Sequence, residues 1–250
     1  AYEFLQKKTK LKEEIMGSKA KQAINLLERK VESERKEKEK IASEIKALRA
    51  QINPHFIFNT LNSIQNYIAH NQSEDAQRFL ASFASLMRQT LENSDEALVR
   101  VEDEVYFIQT YLTLEQLRFE QKFDFSIKIG EDVDIEALLM PPMLLQPYFE
   151  NAILHGIQPK EGKGLIGLEL IEQEENLHFI ITDNGIGRSA TIQKKKPQHK
   201  SMGTQIQADR LKALNSFYKK PIEVQTTDIT DKLGKICGTK VELKIPIWEV

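Results

Sequence analysis

The chain of 250 residues contains one cysteine, Cys237. A single thiol excludes a disulfide framework and a paired-cysteine metal site, and it suits a reducing compartment. No stretch reads as a signal peptide or as an apolar run long enough to cross a membrane. The pattern GxxxxGK[ST] is missing, which excludes a P-loop. Charge of one sign is also missing: 35 Lys and Arg against 37 Asp and Glu leave a formal net charge of −2. There is no broad basic field, so direct nucleic-acid binding is not expected. With 40% hydrophobic and 29% charged residues, the length suits about two soluble domains.

Residues 1–52 contain no proline and one glycine, and are dominated by Lys, Glu, Gln and Ala. Ile24, Leu27 and Val31 take heptad spacing, and Ile41, Ile45, Leu48 and Ile52 resume it after polar positions at Glu34 and Lys38. A narrow apolar seam in a charge-rich helix predicts a coiled coil over residues 1–50. Because the chain starts inside this charged helical pattern, an upstream sensor part is expected before it.

Pro54 interrupts the phase. Beyond it Ile57, Leu61, Ile64 and Ile68 form a second stripe. At ~100° per residue, His55 lies about 160° from Ile57 and shares a face with Asn59, Asn62 and Asn66. The helix is expected to bury the isoleucine side and present the His-and-Asn side. After a turn at His70–Gln72, Ser73 is the expected N-cap of a helix carrying Ala76, Phe79, Leu80, Phe83, Leu86, Met87 and Leu91. The pair reads as a helical hairpin over residues 51–97, ending in a break at Asn93–Ala97. Its core is expected to be completed by a second copy, as a four-helix bundle. A third helix is predicted from about Glu102 to Glu120.

Residues 98–250 then change to α+β. Phe123, Phe125, Ile127 and Ile129 alternate as a strand. Pro141-Pro142 is expected to open a helix with Leu144, Leu145, Phe149 and Ile153, ending at His155-Gly156. Strands are predicted at Leu165–Ile171, Leu177–Thr182, Ile222–Thr227 and Thr239–Pro246, and a helix at 204–218. Residues 188–202, with Lys194, Lys195, Lys196 and Lys200, read as a polar loop. The expected architecture is a two-layer α/β sandwich of antiparallel strands with helices on one face.

Four segments of this half suit nucleotide chemistry, although each also has a plain structural reading. In Glu150-Asn151-Ala152-Ile153-Leu154-His155-Gly156, an amide oxygen beside a carboxylate suits Mg²⁺; the plain reading is a helix end. In Asp183-Asn184-Gly185-Ile186-Gly187, the carboxylate can accept a hydrogen bond from an adenine amine, while the glycines allow close approach. Met202-Gly203-Thr204, ahead of a helix, offers free backbone N–H groups to an anion. Gly238-Thr239 leads into the last strand.

The segment Asn53-Pro54-His55-Phe56-Ile57-Phe58-Asn59-Thr60-Leu61-Asn62-Ser63-Ile64, followed in order by those boxes, resembles the LytS/YehU-like sensor histidine kinases. Their ATP-binding half belongs to the GHKL superfamily, shared with gyrase and MutL. The resemblance covers about residues 45–247. It implies ATP and Mg²⁺ as cofactors and His55 as phosphoacceptor. Asn151 would hold Mg²⁺ with Glu150 beside it. Asp183 would read adenine, Gly185 and Gly187 would shape the pocket, Gly203 and Thr204 would lie at the phosphate-side lid, and Thr239 would support Asp183. Asn59, one turn after His55, would position water for dephosphorylating a bound regulator.

The implied partners are a second copy and the receiver domain of a response regulator, which in this family often has a LytTR DNA-binding output. The implied location is the cytoplasmic side of a bacterial inner-membrane protein. Phe56 follows the histidine, as the LytS-like pattern has it, where many other histidine kinases have an acid. Two departures stand out. Leu154 stands where a lysine is usual, leaving Lys160 or Lys163 as the substitute phosphate contact. The lid segment has one glycine, Gly203. A GHKL ATPase without phosphohistidine and a degenerate dimeric scaffold remain the alternatives.

Overall fold

The computed structural model describes residues 26, 29–36, 54–188, 202–218 and 221–249. The chain divides into two units, Ala1–Glu44 and Ile45–Val250. In the first, residues 29–36 are helical and exposed, with an ion pair of 3.3 Å between Lys36 and Glu32. The rest of the expected coiled coil and the lysine-rich loop at 189–201 lie outside the described residues.

The second unit opens with a helical hairpin, α1 (Pro54–Ala69) and α2 (Ser73–Asp95). Their turn uses Asn71 at φ 57°, a left-handed position that asparagine tolerates. Gln72 rather than Ser73 occupies the N-cap, so Ser73 already lies inside the helix; Glu74 and Asp75 favour its positive end. The helix also runs through most of the expected break, to Asp95.

The inward face of α1 differs from the one read from periodicity. Phe56 and Thr60 are buried, whereas Leu61 and Ile68 are 45% and 61% exposed. The cause is aromatic packing. The Phe56 ring lies 6.2 Å from Phe83 and 5.6 Å from Tyr111, and the Tyr67 ring lies 5.8 Å from Phe79. The Tyr67 hydroxyl donates to the Leu117 carbonyl at 3.2 Å. Large rings with a polar handle outweigh an isoleucine row in choosing the buried side. The buried row is turned about 100° from the isoleucine stripe, and the His55 and Asn59 positions fall about 100° to its other side.

Strand β1 (Val99–Arg100) leads into α3 (Val101–Arg118). This helix is enclosed on several sides, with Val101, Val105, Phe107, Ile108, Tyr111, Leu112 and Leu114 all buried. It also buries two carboxylates, Glu104 and Glu115. Glu115 pairs with the Arg118 guanidinium, which itself lies 4.3 Å over the Phe119 ring. Its other oxygen, Oε1, has no hydrogen-bond partner among the described residues. Burial pushes this carboxyl up from 4.5 to about 7, partly offset by Arg118.

The remaining elements are β2 (Phe123–Ile129), β3 (Leu138–Met140), α4 (Gln146–Asn151), β4 (Gly164–Gln173), β5 (Asn176–Asp183), α5 (Met202–Tyr218), β6 (Glu223–Thr230), β7 (Ile236–Pro246) and β8 (Trp248–Glu249). One sheet has the order β2-β4-β5-β7-β6. It is mixed rather than antiparallel throughout, since β2 pairs in parallel with β4. A small second sheet, β1-β3-β8, went unread in the sequence because its strands are two or three residues long.

The β4–β5 hairpin turns on Glu174 and Glu175, both at positive φ as a two-residue primed turn requires. Alternation puts Phe123, Ile166, Leu168, Leu170, Leu177, Phe179, Ile181, Leu243 and Ile245 on one buried face, against which α3 and the segment after α4 pack. The other face carries exposed residues such as Leu165 and Glu169, giving two layers.

Phe79 is 1% exposed. Phe79→Ala is expected to lower unfolding free energy by about 3–5 kcal/mol, read as a lower urea midpoint at unchanged slope. Glu115 gives a second expectation, in pH. Its folded form holds a proton more tightly than the unfolded chain, so its contribution falls as pH rises from 4.5 through about 7. Glu115→Gln is neutral throughout and is expected to flatten the stability–pH slope in that window by roughly 2–3 kcal/mol. An unchanged slope would show that the carboxyl is not the titrating group.

Candidate functional site

The site is built around the end of β5. Asp183 is 7% exposed, at the point where the strand leaves the sheet. One carboxylate oxygen, Oδ1, accepts the Gly185 N–H at 2.8 Å. Asp183 lies directly opposite Thr239 in the β5–β7 ladder and also accepts a hydrogen bond from the Thr239 side chain. Burial pushes the carboxyl up, while the bonds from Gly185 and Thr239 and the Lys160 charge pull it back down. A buried acid is thus held in place by donors on two sides.

Backbone crowds this carboxylate. A Cβ on Gly156 would lie 2.9 Å from Asp183 Oδ1, and a Cβ on Gly185 would lie 2.4 Å from the Gly156 carbonyl carbon. Glycine is required at both because two chain segments touch there, and the Ile186 N–H donates to the Gly156 carbonyl at 3.1 Å. Gly238 meets the same limit from β7, where a Cβ would lie 2.0 Å from the Asp183 carbonyl oxygen. Gly187 adopts φ 74°.

Gly156 is not the helix end that the sequence suggests. Helix α4 passes without a break into a π-helical turn, Ala152–Ile157. Its wider winding is visible in the Gln158 N–H to Ile153 carbonyl bond of 2.8 Å, five residues apart. Nor does α4 open at Pro141-Pro142. It begins at Gln146, with Pro147 in its first turn, because Glu104 occupies the preceding turn and takes the N–H groups of Met143 at 2.7 Å and Leu145 at 3.1 Å. Glu150 and Asn151 are the last two residues of α4, both half-buried. The charge of Glu150 reaches inward, where it pushes up both Tyr111 and Glu115, each shifted most by burial.

Asp183, Gly185, Gly187 and Thr239 therefore stand together. The segment carrying Glu150 and Asn151 reaches the same place through Gly156. The donor set fits the groups named from sequence. A buried carboxylate held by a backbone N–H and a threonine side chain can face a base amine, and an asparagine oxygen near a second carboxylate suits a hard cation.

The lid side differs from expectation. Helix α5 begins at Met202, two residues before the expected start at 204, so Gly203 joins Thr204 inside its first turn; their side chains lie outside the described residues. Lys163 is engaged elsewhere, in an ion pair of 2.7 Å with Asp124. Lys160 Nζ donates to the Asn184 carbonyl beside Asp183. His55 is the second residue of α1, with its side chain outside the described residues. Asn59 is half-buried, and its carbonyl accepts the Ser63 hydroxyl at 3.1 Å.

Sequence reasoning missed Gly156 and Gly238 as walls of the Asp183 cage, and Glu104 and Arg210 as supports of α4. The two glycines stood inside segments already singled out. Nothing local marked Glu104 or Arg210.

Among the described residues no helix is long and apolar enough to cross a membrane. Residues 43–123 match the histidine kinase family. Sensor histidine kinase YpdA of Escherichia coli is 32% identical over 164 residues, 66% of this chain and 28% of its own length. Sensor protein LytS of Bacillus cereus is 35% identical over 145 residues, 58% of this chain and 24% of its own length. Among solved structures, the histidine kinase domain of the Erythrobacter litoralis EL346 blue-light activated histidine kinase aligns over 85% of this chain and 96% of its own, at 15% identity and a TM-score of 0.43. The chain spans about a quarter of the length of these curated relatives, 28% and 24%. Residues 43–123 thus carry the histidine kinase family match, and the chain is similar to the LytS and YpdA sensor histidine kinases over the quarter of their length that it spans.

Proposed function

We propose that this chain is the catalytic portion of a two-component sensor kinase. It binds ATP at the Asp183 site, transfers the γ-phosphoryl group to His55, and passes that group to an aspartate on a response-regulator receiver domain, including regulators with a LytTR output. The observation that carries this reading is the cage around Asp183: a buried carboxylate fixed by Gly185 and Thr239 and approached by Gly156. Such a carboxylate can accept the adenine amine, and the backbone around it leaves room only for glycine at positions 156 and 185.

In the reaction, a neutral imidazole nitrogen of His55 uses its lone pair to form the N–P bond, and the bond to the ADP oxygen breaks. When bound at Asn151 with Glu150 beside it, Mg²⁺ supplies charge neutralisation on the phosphates. Gly203 and Thr204, in the first turn of α5, present helix N-terminal N–H groups on the phosphate side. Asn59, one turn after His55, positions water when the bound regulator is dephosphorylated.

The hairpin supports a homodimer. Phe58, Leu61 and Ile68 on α1 and Leu80 and Leu91 on α2 are between 45% and 66% exposed. Apolar rows of this kind on both helices of a hairpin suit a four-helix bundle with a second copy. The chain would form the cytoplasmic portion of a bacterial inner-membrane sensor.

Incubation with γ-labelled ATP and Mg²⁺ is expected to leave acid-labile, base-stable label on the protein, abolished in His55→Gln. ATP hydrolysis with no labelled protein would instead identify an ATPase, and failure to bind nucleotide a scaffold. Leu61→Glu combined with Leu80→Glu is expected to halve the mass seen by sedimentation equilibrium. A wild-type monomer at micromolar concentration would end the dimer reading.

A further inference from the structure

Two charged side chains that do not belong to the Asp183 cage grip one turn from opposite sides. Glu104, in the first turn of α3, is 0% exposed and accepts the Met143 and Leu145 N–H groups at 2.7 and 3.1 Å; the Leu144 N–H also bonds to it. Three consecutive N–H groups can converge on one carboxylate because Met143 adopts φ 54° and curls the backbone into a cup. Arg210, in the middle of α5, donates from one terminal nitrogen to the Pro142 carbonyl at 3.2 Å and the Met143 carbonyl at 2.9 Å. The charges of Glu104 and Arg210 also act on each other.

This turn runs directly into α4 and therefore sets where Glu150 and Asn151 stand. Arg210 lies about two turns along α5 from Gly203 and Thr204. The turn is thus tied to the helix that starts at the phosphate side, and through Glu104 to α3. Burying opposite charges is costly against apolar packing, and a turn could be filled with apolar side chains more cheaply. What charges provide is one fixed geometry, because all three donors must meet the same two oxygens.

We propose that Glu104 and Arg210 are positioning residues that lock the Pro142–Leu145 turn, hold Asn151 in register with the start of α5, and so make nucleotide binding respond to Mg²⁺. The inference rests on Asn151 as the metal-side residue and on Asp183 as the base-side residue. It separates the two, because Asn151 follows directly from the clamped turn, whereas the Gly185 and Thr239 donors that hold Asp183 come from the loop after β5 and from β7; only Gly156 is shared.

The test is a calorimetric titration of the whole chain with ADP, in Mg²⁺ and in EDTA, for wild type, Glu104→Gln, Arg210→Met and Arg210→Lys, each checked for folding by circular dichroism. In wild type Mg²⁺ is expected to tighten binding. In Glu104→Gln and Arg210→Met that gain is expected to fall by about tenfold, the usual effect of losing an outer partner of a metal ligand. Affinity in EDTA should stay within about twofold, because the Gly185 and Thr239 bonds that hold Asp183 do not pass through the turn. Arg210→Lys should recover part of the gain, since one ammonium can still reach a carbonyl.

Folded variants with the full wild-type gain would overturn the proposal. So would an equal loss in Mg²⁺ and in EDTA, which is what damage to packing alone would give. If Glu104→Gln fails to fold, the two variants of the half-buried Arg210 still decide the outcome. A wild-type chain that binds no nucleotide in either condition would instead refute the ATP-site reading, and one that binds without any metal gain would refute the role of Asn151.

Discussion

A carboxylate removed from water must be held by donors or it will not stay charged. That constraint, applied at Asp183, organises the sheet-bearing half of the chain. The Gly185 N–H and the Thr239 side chain hold the group, and Lys160 offsets some of the cost of burial. For those donors to reach it, the β5–β7 ladder must pair Asp183 with Thr239, and the loop after β5 must double back within two residues. For the segment after α4 to close the cage, Gly156 must touch Gly185 with no side chain between them. Strand register, loop length and helix winding all converge on one acid.

A second buried acid acts as a joint: Glu104 ties α3 to the turn before α4, whereas Glu115 pairs only with Arg118 of its own helix, beside the aromatic seam from α1. At that turn apolar packing alone would leave the elements free to slide, because leucines and isoleucines are indifferent to small shifts. A carboxylate with fixed partners is not. Phe56, the neighbour of His55 in sequence, packs on Tyr111 of α3, one turn before Glu115. The hairpin therefore meets α3 through rings, with the Glu115–Arg118 pair one turn further on.

Much of this was legible in the sequence wherever the signal was periodic and local. The strands from Phe123 onward alternate cleanly and appear as read, as do the hairpin and the three helices at their approximate positions. The Asp183 turn was legible because its residues are adjacent, and Thr239 entered through the family resemblance. What failed depended on partners distant in sequence. The inward face of α1 was misread because Ile57, Leu61, Ile64 and Ile68 have the right spacing, while the rings that win, Phe83 and Tyr111, lie on other helices. The start of α4 was placed at a Pro-Pro pair because nothing nearby showed that Glu104 would cap the turn after it. The parallel pairing of β2 with β4 leaves no mark on alternation.

The π-helical turn after Asn151 carries one more residue than an α-helical turn would need. Asn151 and Gly156 are both anchored, one by the clamped start of α4 and the other by contact with Asp183 and Gly185. Removing any residue between them would turn one anchor about 100° away from its place. The stretch from Gln146 to Ile157 therefore behaves as a ruler of fixed length. Substitutions that spare Gly156 keep its length, whereas an insertion or deletion does not.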